Sequence, residues 1–411
     1  SFNRLTSGSG VGRLEQLRSL NLRGNQLGET TFVLSLLSID SFDLRSNAIV
    51  DVGGLRGMTT LRTLLLGRNQ ITDVSPLAGL TSLESLDLER NAITSVDRLG
   101  SLRALRSLNL NRNQITDISV LRGMTKLESL QLELNQVRSV GPLRDLVLLT
   151  SLDVGGNQVT DVSPLAGLTA LTRLDIATSN VTSLQPLAGM TALPALTLSG
   201  NAITDVEVLG AFRQLASLDL GANQITDVAP LRPLVDLEVL SLNGNQVTDV
   251  SPLAGLTSLR ELRLDTNLIV DAAPLGGLGA LVELNLRVNA ITDAGFVRGL
   301  TELVELDMRD NQVTDLRPFT GLAKLASLRL ARNLVADAAP LAGLTALTFL
   351  DLEGNALTSA AALSGLTALT YLDVSRNQIA DLSPLIGMRG LATLHLDRNL
   401  IADVTPLAGL T

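Results

Sequence analysis

The segment "LRTLLLGRNQITDVSPLAGLTS", residues 61–82, is one of a long series of near copies in this 411-residue chain. Similar segments begin at Leu149, Leu237 and Leu369. An asparagine recurs every 22 residues without insertion or deletion, and it fills 17 of the 18 positions between Asn25 and Asn399. A fixed period of this size indicates an architecture in which similar units stack in a row and bury a continuous core between them.

Each repeat follows the pattern L-x-x-L-x-L-x-x-N-x-I-x-D-x-x-P-L-x-x-L, numbered here so that Leu61 is position 1. Leucines at positions 4 and 6 alternate with other residues at positions 3 and 5, which predicts a short strand with one buried face. The aspartate at position 13, such as Asp73, can cap a short helical turn whose first residues tolerate proline. Glycine at position 19, as in Gly79, Gly167 and Gly255, is expected to permit the turn toward the next strand.

The asparagine at position 9 is predicted to form a structural ladder. Its amide offers two donors and an acceptor oxygen, so it can bond backbone groups of its own coil and the next. Stacked amides of this kind would satisfy an otherwise buried turn. The predicted ladder consists of Asn25, Asn47, Asn69, Asn91, Asn113, Asn135, Asn157, Asn201, Asn223, Asn245, Asn267, Asn289, Asn311, Asn333, Asn355, Asn377 and Asn399. Ser179 takes the remaining position and is expected to form fewer hydrogen bonds.

This is the leucine-rich-repeat pattern. It predicts an α/β solenoid with a parallel β-sheet on its concave face. A coil of 22 residues leaves room for only a short 3₁₀ or extended segment on the convex face. The unit "NQITDVSPLAGLTSLESLDL" (residues 69–88) resembles the 22-residue repeat of bacterial internalins, and the resemblance covers essentially the whole chain. It implies a right-handed curved superhelix that binds a protein ligand on its concave face. A cytosolic family that regulates protein phosphatases has the same period.

We predict a single domain over residues 1–411, with a partial first repeat at 1–16 and eighteen repeats at 17–411, the last nearly complete. The helical cap that begins internalins and the immunoglobulin-like cap that ends them are not visible. An uncapped array would expose apolar edges and would tend to associate end to end.

Composition excludes several functions. The net charge of −9 disfavours nucleic acid, which requires a basic surface. The chain has no cysteine, so thiolate catalysis and cysteine-based metal sites are excluded. No apolar run is long enough to insert into a membrane. The single histidine, His395, has neither an activated serine motif nor a second imidazole beside it in the pattern. We therefore expect no enzyme activity, no metal and no cofactor.

Binding specificity is expected at the variable concave positions 3, 5, 7 and 8. Position 3 is usually a small residue, but two adjacent repeats have Phe349 and Tyr371 there, which is typical of an anchor for a protein partner. The pattern places seven further residues around them: Arg329, Asp351, Glu353, Asp373, Arg376, His395 and Arg398. In two alternatives, the rings pack against a cap or a further domain, or merely fill space on the sheet.

Two other charged features of the concave repeat positions each have more than one interpretation. Aspartates recur at position 5, including the neighbours Asp153 and Asp175, and they suit a basic partner, bound cations such as calcium, or a solvated stripe that keeps the sheet soluble. A second charged segment suits a polar rim or a solvated face. It comprises Glu261, Arg263, Asp265, Glu283, Arg287, Glu305, Asp307, Arg309 and Asp310.

The sequence therefore predicts a non-enzymatic scaffold that recognises another protein on its concave face. Exposure on a bacterial surface or secretion is expected from the internalin resemblance. The alternatives are a cytosolic scaffold or sensor module of a larger signalling protein, and a structural spacer.

Overall fold

The computed structural model describes residues 3–8, 11, 14, 16–33, 36 and 38–410. They fall into two compact units, Ser1–Ala202 and Ile203–Thr411. Residues 1, 2, 9, 10, 12, 13 and 15 of the predicted partial repeat, together with residue 411, lie outside the described residues. The assignment of residues 1–411 to one domain stays a prediction.

The described part of the first unit contains nine three-residue strands. Each pairs in parallel with the next along the chain, so equivalent repeat positions face each other, as Ser85 faces Ser107. The strands are Ser19–Asn21 (β1), Ser41–Asp43 (β2), Thr63–Leu65 (β3), Ser85–Asp87 (β4), Ser107–Asn109 (β5), Ser129–Gln131 (β6), Ser151–Asp153 (β7), Arg173–Asp175 (β8) and Ala195–Thr197 (β9).

The described part of the second unit contains nine more strands with the same parallel, in-register pairing. They are Ser217–Asp219 (β10), Val239–Ser241 (β11), Glu261–Arg263 (β12), Glu283–Asn285 (β13), Glu305–Asp307 (β14), Ser327–Arg329 (β15), Phe349–Asp351 (β16), Tyr371–Asp373 (β17) and Thr393–His395 (β18).

Short 3₁₀ segments alternate with the strands in both units. In the first unit they are Thr31–Val33, Gly53–Leu55, Ser75–Gly79, Asp97–Ser101, Ser119–Gly123, Gly141–Leu143, Ser163–Leu165 and Gln185–Leu187. In the second unit they are Glu207–Ala211, Ala229–Leu231, Ser251–Gly255, Ala273–Gly277, Gly295–Gly299, Arg317–Phe319, Ala339–Leu341, Ala361–Leu363, Ser383–Leu385 and Thr405–Gly409. The predicted parallel strands and short 3₁₀ turns are therefore confirmed.

The core lies between the strands and the 3₁₀ segments of each unit. Leu64 and Leu66 at positions 4 and 6, and Leu77 in the 3₁₀ segment, have no exposed surface. The residue at position 13, an aspartate in most repeats, precedes the turn, and the Oδ1 atom of Asp73 accepts a hydrogen bond of 2.8 Å from the backbone N–H of Ser75. Since successive strand residues point to opposite sides, positions 3 and 5 face away from the core. We call this side of the strands the open face.

In most coils the tight turn that needs a left-handed residue lies at another position than the predicted one. Gly79, Gly167 and Gly255 have no left-handed φ, and an added Cβ would meet no atom within 4 Å, so these turns do not require glycine. Two glycines at position 19, Gly57 and Gly321, do have a left-handed φ, of 94° and 106°. The other left-handed residues lie at position 8, with φ of 60° at Arg68 and 64° at Gly156. The chain turns sharply there because the strand has just ended and position 9 must point inward.

Candidate functional site

An aromatic shelf lies on the open face of the second unit. Phe349 and Tyr371 face each other across β16 and β17, and their half-buried rings stack with centroids 4.2 Å apart and planes 5° from parallel. The exposed ring of His395 on β18 lies 5.7 Å from the Tyr371 ring at a tilt of 55°. We use "aromatic shelf" for these three residues. Such a row of rings offers a rigid apolar surface whose edge can still reach water.

Arg329 on β15 lies against one end of this shelf. Its guanidinium carbon is 4.7 Å from the centroid of the Phe349 ring, a cation–π contact. Its Nη1 atom is 3.6 Å from the Oε2 atom of Glu305 on β14. Strand register places Ser327 between Glu305 and Phe349. The Arg329 guanidinium therefore approaches the residues on both sides of Ser327.

Two aspartates line the shelf at position 5. Asp351 and Asp373 face each other on β16 and β17. Burial raises the pKa of Asp351, and the charge of Asp373 adds to that rise, while a hydrogen bond from the backbone N–H of Glu353 opposes it. Burial also raises the pKa of the Tyr371 hydroxyl, with further contributions from Asp373 and Asp351. The shelf is thus bordered by negative charge held close to partly buried rings.

The remaining predicted patch residues lie beyond the ends of these strands. The Oε1 atom of Glu353 lies 3.0 Å from the Nε atom of Arg376 in an ion pair, and its Oε2 atom is 3.9 Å from the Nη2 atom of Arg332. Arg398 is exposed, and no ion pair in the described part of the chain joins it to the other eight patch residues. The structure therefore brings Phe349, Tyr371, His395 and Arg329 into contact, sets the two aspartates beside them, and leaves Arg398 apart.

A second feature adjoins the shelf at Arg329. Glu261, Glu283 and Glu305 occupy position 3 of three successive strands and face each other in register. We call these three residues the glutamate ladder. Neighbouring strands are about 4.8 Å apart, so the three carboxylates project from closely spaced points. Arg263 pairs with Glu261 at 2.6 Å, but no ion pair among the described residues involves the exposed Glu283.

An open groove of about 430 Å³ surrounds the ladder. Its lining includes five carboxylates and two guanidinium groups, so it is net acidic. The lining residues are Asn243, Glu261, Leu262, Arg263, Asp265, Glu283, Leu284, Asn285, Glu305, Asp307 and Arg329. A neighbouring hollow of about 340 Å³ also contacts Glu261 and Glu283. The sequence pattern indicated the charges of this groove, but not that Asn243 and Asn285 line it. The pattern also gave no reason to single out Ser327, which faces the lining residue Glu305 on the neighbouring strand. Ser327 was missed because serine is common at position 3.

Paired aspartates also occur on the open face of the first unit. Asp153 and Asp175 face each other across β7 and β8. Burial raises the pKa of Asp153 to about 6, the backbone N–H of Gly155 opposes the rise, and the charges of Asp175 and Glu133 add to it. Within the described residues, no three histidine, aspartate or glutamate side chains are grouped in a way that could hold a metal ion.

The asparagine at position 9 connects adjacent coils. The Nδ2 atom of Asn69 donates to the carbonyl of Leu66 in its own coil at 2.8 Å and to that of Leu44 in the preceding coil at 3.1 Å. Its Oδ1 atom accepts from the N–H of Ile49 at 3.0 Å. The prediction named the following coil, whereas the partner is the preceding one. In the preceding coil, the N–H of Leu44 donates to the carbonyl of Leu65 on the next strand. The carbonyl of Leu44 accepts instead from the Asn69 amide.

Comparison with known proteins places these features in a family. Models of leucine-rich repeats match residues 59–101, 147–189, 235–277 and 367–409 for a two-copy unit, and 81–137 for a further repeat unit. An internalin from Listeria monocytogenes is 32% identical, with 81% of this chain and 86% of that chain covered and a TM-score of 0.59. The chain belongs to the leucine-rich-repeat proteins.

Other leucine-rich-repeat structures share the fold at lower identity. A leucine-rich-repeat protein from Leptospira interrogans is 22% identical over 96% of this chain and 100% of that chain, with a TM-score of 0.80. The Arabidopsis receptor kinase HAESA, solved with a peptide hormone and a co-receptor, is 22% identical over 96% and 76%, with a TM-score of 0.71. The search of curated proteins gave no match. No helix among the described residues is both long and apolar enough to span a membrane.

Proposed function

We propose that this leucine-rich-repeat chain is a non-enzymatic scaffold that binds another protein on the open face of its second unit. The observation on which the proposal depends is the half-exposed Phe349–Tyr371 stack, bordered by Arg329, Asp351 and Asp373. Large rings on a surface are typical of the few residues that contribute most of an interface's binding energy. Leucine-rich-repeat proteins are typically binding scaffolds, and no catalytic family matched the chain.

We further propose that the protein is internalin-like and acts outside the cell or on a bacterial surface. The 32% identity to a Listeria internalin over most of both chains supports this assignment. The absence of cysteine from the sequence is compatible with export. The 32% identity to an internalin favours an internalin-like role for this protein over the role of a cytosolic relative.

The proposal is tested by capture of partners on the immobilised chain. Extracts of host-cell surface proteins and of the source organism are passed over wild type and a Phe349→Ala/Tyr371→Ala variant. A partner that binds the open face should lose at least about tenfold in affinity, because both anchoring rings are removed. Circular dichroism checks that the variant is folded.

A matched variant removes two apolar side chains elsewhere. Leu334 and Ile386 are 57% and 53% exposed and lie outside the strands. Leu334→Ala/Ile386→Ala should retain the partner. Equal loss in both variants would contradict binding at the aromatic shelf, and a partner found only in the organism's own lysate would contradict the surface role. A chain that captures nothing from either extract would behave as a spacer.

A further inference from the structure

We propose that the groove along β12 to β15, together with the adjoining Phe349 ring on β16, binds an extended peptide segment with arginine side chains, and that Arg329 occupies part of this site in the free protein. The inference rests on the proposed function and names the chemistry of the partner. It is drawn from three independent observations on the second unit: a glutamate ladder with an unpaired member, an internal arginine that shows the binding geometry, and a buried hydroxyl without a partner.

The glutamate ladder is an arrangement that needs cations. Like charges directly opposite each other on neighbouring strands repel, so three successive glutamates are unfavourable unless positive charge offsets them. The flanking residues Glu261 and Glu305 each have an arginine nearby, at 2.6 Å and 3.6 Å. Glu283, between them, is exposed and has none among the described ion pairs. A cationic side chain placed on Glu283 would reduce the repulsion of all three carboxylates.

Arg329 shows which cation fits. Its guanidinium lies against the Phe349 ring and reaches toward Glu305. A planar guanidinium can stack on an aromatic face and donate to carboxylates at the same time, whereas an ammonium group is a compact point charge with a stronger hydration shell. The walls of this site are therefore matched to an arginine side chain, and one belonging to the protein itself lies there.

The third observation is the buried hydroxyl of Ser327. It is 8% exposed, and its Oγ atom is the one buried side-chain polar atom among the described residues that has no hydrogen-bond partner. Because Leu328 points into the core, Ser327 faces the same side as Arg329 and lies between Glu305 and Phe349, the two residues that the guanidinium approaches. A buried hydroxyl normally finds a partner, and leaving one unpaired costs about 1–3 kcal/mol. When a ligand displaces Arg329, this hydroxyl is available to the incoming peptide.

The occupant follows from charge and shape. The groove of about 430 Å³ is open and net acidic, and the adjoining hollow of about 340 Å³ shares Glu261 and Glu283 with it. An extended segment that crosses these strands can place one arginine on Glu283 and a second beside Phe349. Its remaining apolar groups would then lie on the stacked rings of Phe349 and Tyr371.

Fluorescence anisotropy tests the proposal with a defined probe. A fluorescein-labelled peptide amide of alternating arginine and glycine is titrated with the full chain at near-physiological ionic strength, beside the same peptide with neutral citrulline in place of arginine. We expect the arginine peptide to bind and the citrulline peptide not to bind. Glu283→Gln should weaken binding about fivefold, the effect of one partly desolvated charge pair. Equal binding of both peptides would overturn the proposal.

The matched control for Glu283 is Glu207→Gln. Glu207 is an exposed carboxylate of the same unit, but it lies in the 3₁₀ segment Glu207–Ala211 rather than on the open face. The Glu207→Gln substitution removes the same single negative charge as Glu283→Gln. We expect Glu207→Gln to leave the dissociation constant within about twofold of wild type, since an exposed charge far from the probe is screened. Equal effects of the two substitutions would show non-specific attraction and overturn the site.

A substitution of Arg329 gives the sharper result because it should increase affinity. If Arg329 occupies the site in the free protein, Arg329→Gln removes an internal competitor and should tighten probe binding about threefold. Arg298→Gln removes one positive charge from an exposed 3₁₀ position and provides the control. No gain beyond that of Arg298→Gln, or weaker binding by Arg329→Gln, would overturn the role of Arg329.

This experiment can fail separately from the proposed function. A chain that does not bind the arginine peptide, yet still loses its captured protein in Phe349→Ala/Tyr371→Ala, recognises proteins by another chemistry. A chain that binds the peptide through Glu283 but retains its captured protein in that variant has the cation site without the aromatic anchor.

Discussion

At the residue scale, Asp153 is held in an environment that disfavours its charge. Burial and the facing Asp175 raise its pKa to about 6, against an ordinary value of 3.8, although the N–H of Gly155 bonds to it at 3.0 Å. The folded chain therefore binds this proton more tightly than the unfolded chain does. The stability that Asp153 contributes is fully present at a pH below the pKa of this group in the unfolded chain, and it is lost as the pH rises through about 6.

Asp153→Asn should therefore stabilise the protein in a pH-dependent way. Asparagine keeps an oxygen for the Gly155 N–H and has no charge to desolvate. We expect the free energy of unfolding to increase by about 1 kcal/mol at about pH 8, a value discounted for the partial exposure of Asp153, and to change very little at about pH 4. Urea unfolding at the two pH values measures it. The control is Asp219→Asn, because Asp219 also accepts a backbone hydrogen bond, from Gly221, but faces Ser241 instead of a second carboxylate. If Asp153→Asn raised the free energy of unfolding equally at both pH values, the argument would be contradicted.

Residue identities on the open face could be predicted, but their contacts could not. The 22-residue register was enough to place Phe349 and Tyr371 at position 3 of adjacent repeats. It could not show that Arg329 approaches Glu305 and Phe349, because the path of a long side chain depends on its rotamer and on every neighbour. Ser327 has the same residue type and position as many other serines, so nothing in the sequence distinguishes its unpaired hydroxyl.

At the scale of the single coil, the asparagine ladder has one imperfect step. Ser179 replaces asparagine, and its Oγ atom makes a 3.5 Å contact with the carbonyl of Ala177. In the neighbouring step, the Oδ1 atom of Asn201 accepts from the N–H of Val181 at 3.0 Å. The equivalent N–H beneath Ser179 belongs to the buried Val159, and no hydrogen bond among the described residues reaches it.

Ser179→Asn should restore this step. The longer amide would accept from the Val159 N–H and donate to carbonyls of its own and the preceding coil, as its equivalents do. We expect an increase of about 1–2 kcal/mol in the free energy of unfolding, measured by urea denaturation. The opposite substitution at an intact step, Asn267→Ser, should lower stability by a similar amount because Val247 loses its 3.0 Å acceptor. Stability unchanged by both substitutions would contradict the ladder's structural role.

Only part of the structure of each coil is predicted by the sequence pattern. The position of each strand follows from alternating leucines, and the short 3₁₀ segment follows from the 22-residue length. The left-handed residue at position 8 was missed, although glycine recurs there at Gly24, Gly156 and Gly200. That signal was obscured because arginine and other residues accept the same strained conformation elsewhere, as Arg90 does with a φ of 52°.

At the scale of the whole molecule, repetition determines the fold and variation determines the proposed function. One coil cannot bury its apolar side, so the leucines that recur in every repeat predict stacking and little else. The two compact units could not be predicted, because the boundary after Ala202 falls within a repeat of unbroken register. The internalin-like role and the binding surface depend on residues that differ between repeats, and they remain proposals.

Photo-crosslinking tests most directly whether the open face of the second unit recognises a protein. A photoreactive phenylalanine analogue replaces Phe349 on the aromatic shelf in one protein and the exposed Ala342, which follows the 3₁₀ segment Ala339–Leu341, in another. Each is irradiated with the captured partner, and the linked peptides are identified by mass spectrometry. We predict a crosslink from position 349 and none from position 342. A partner crosslinked from position 342, with none from position 349, would contradict recognition on this face.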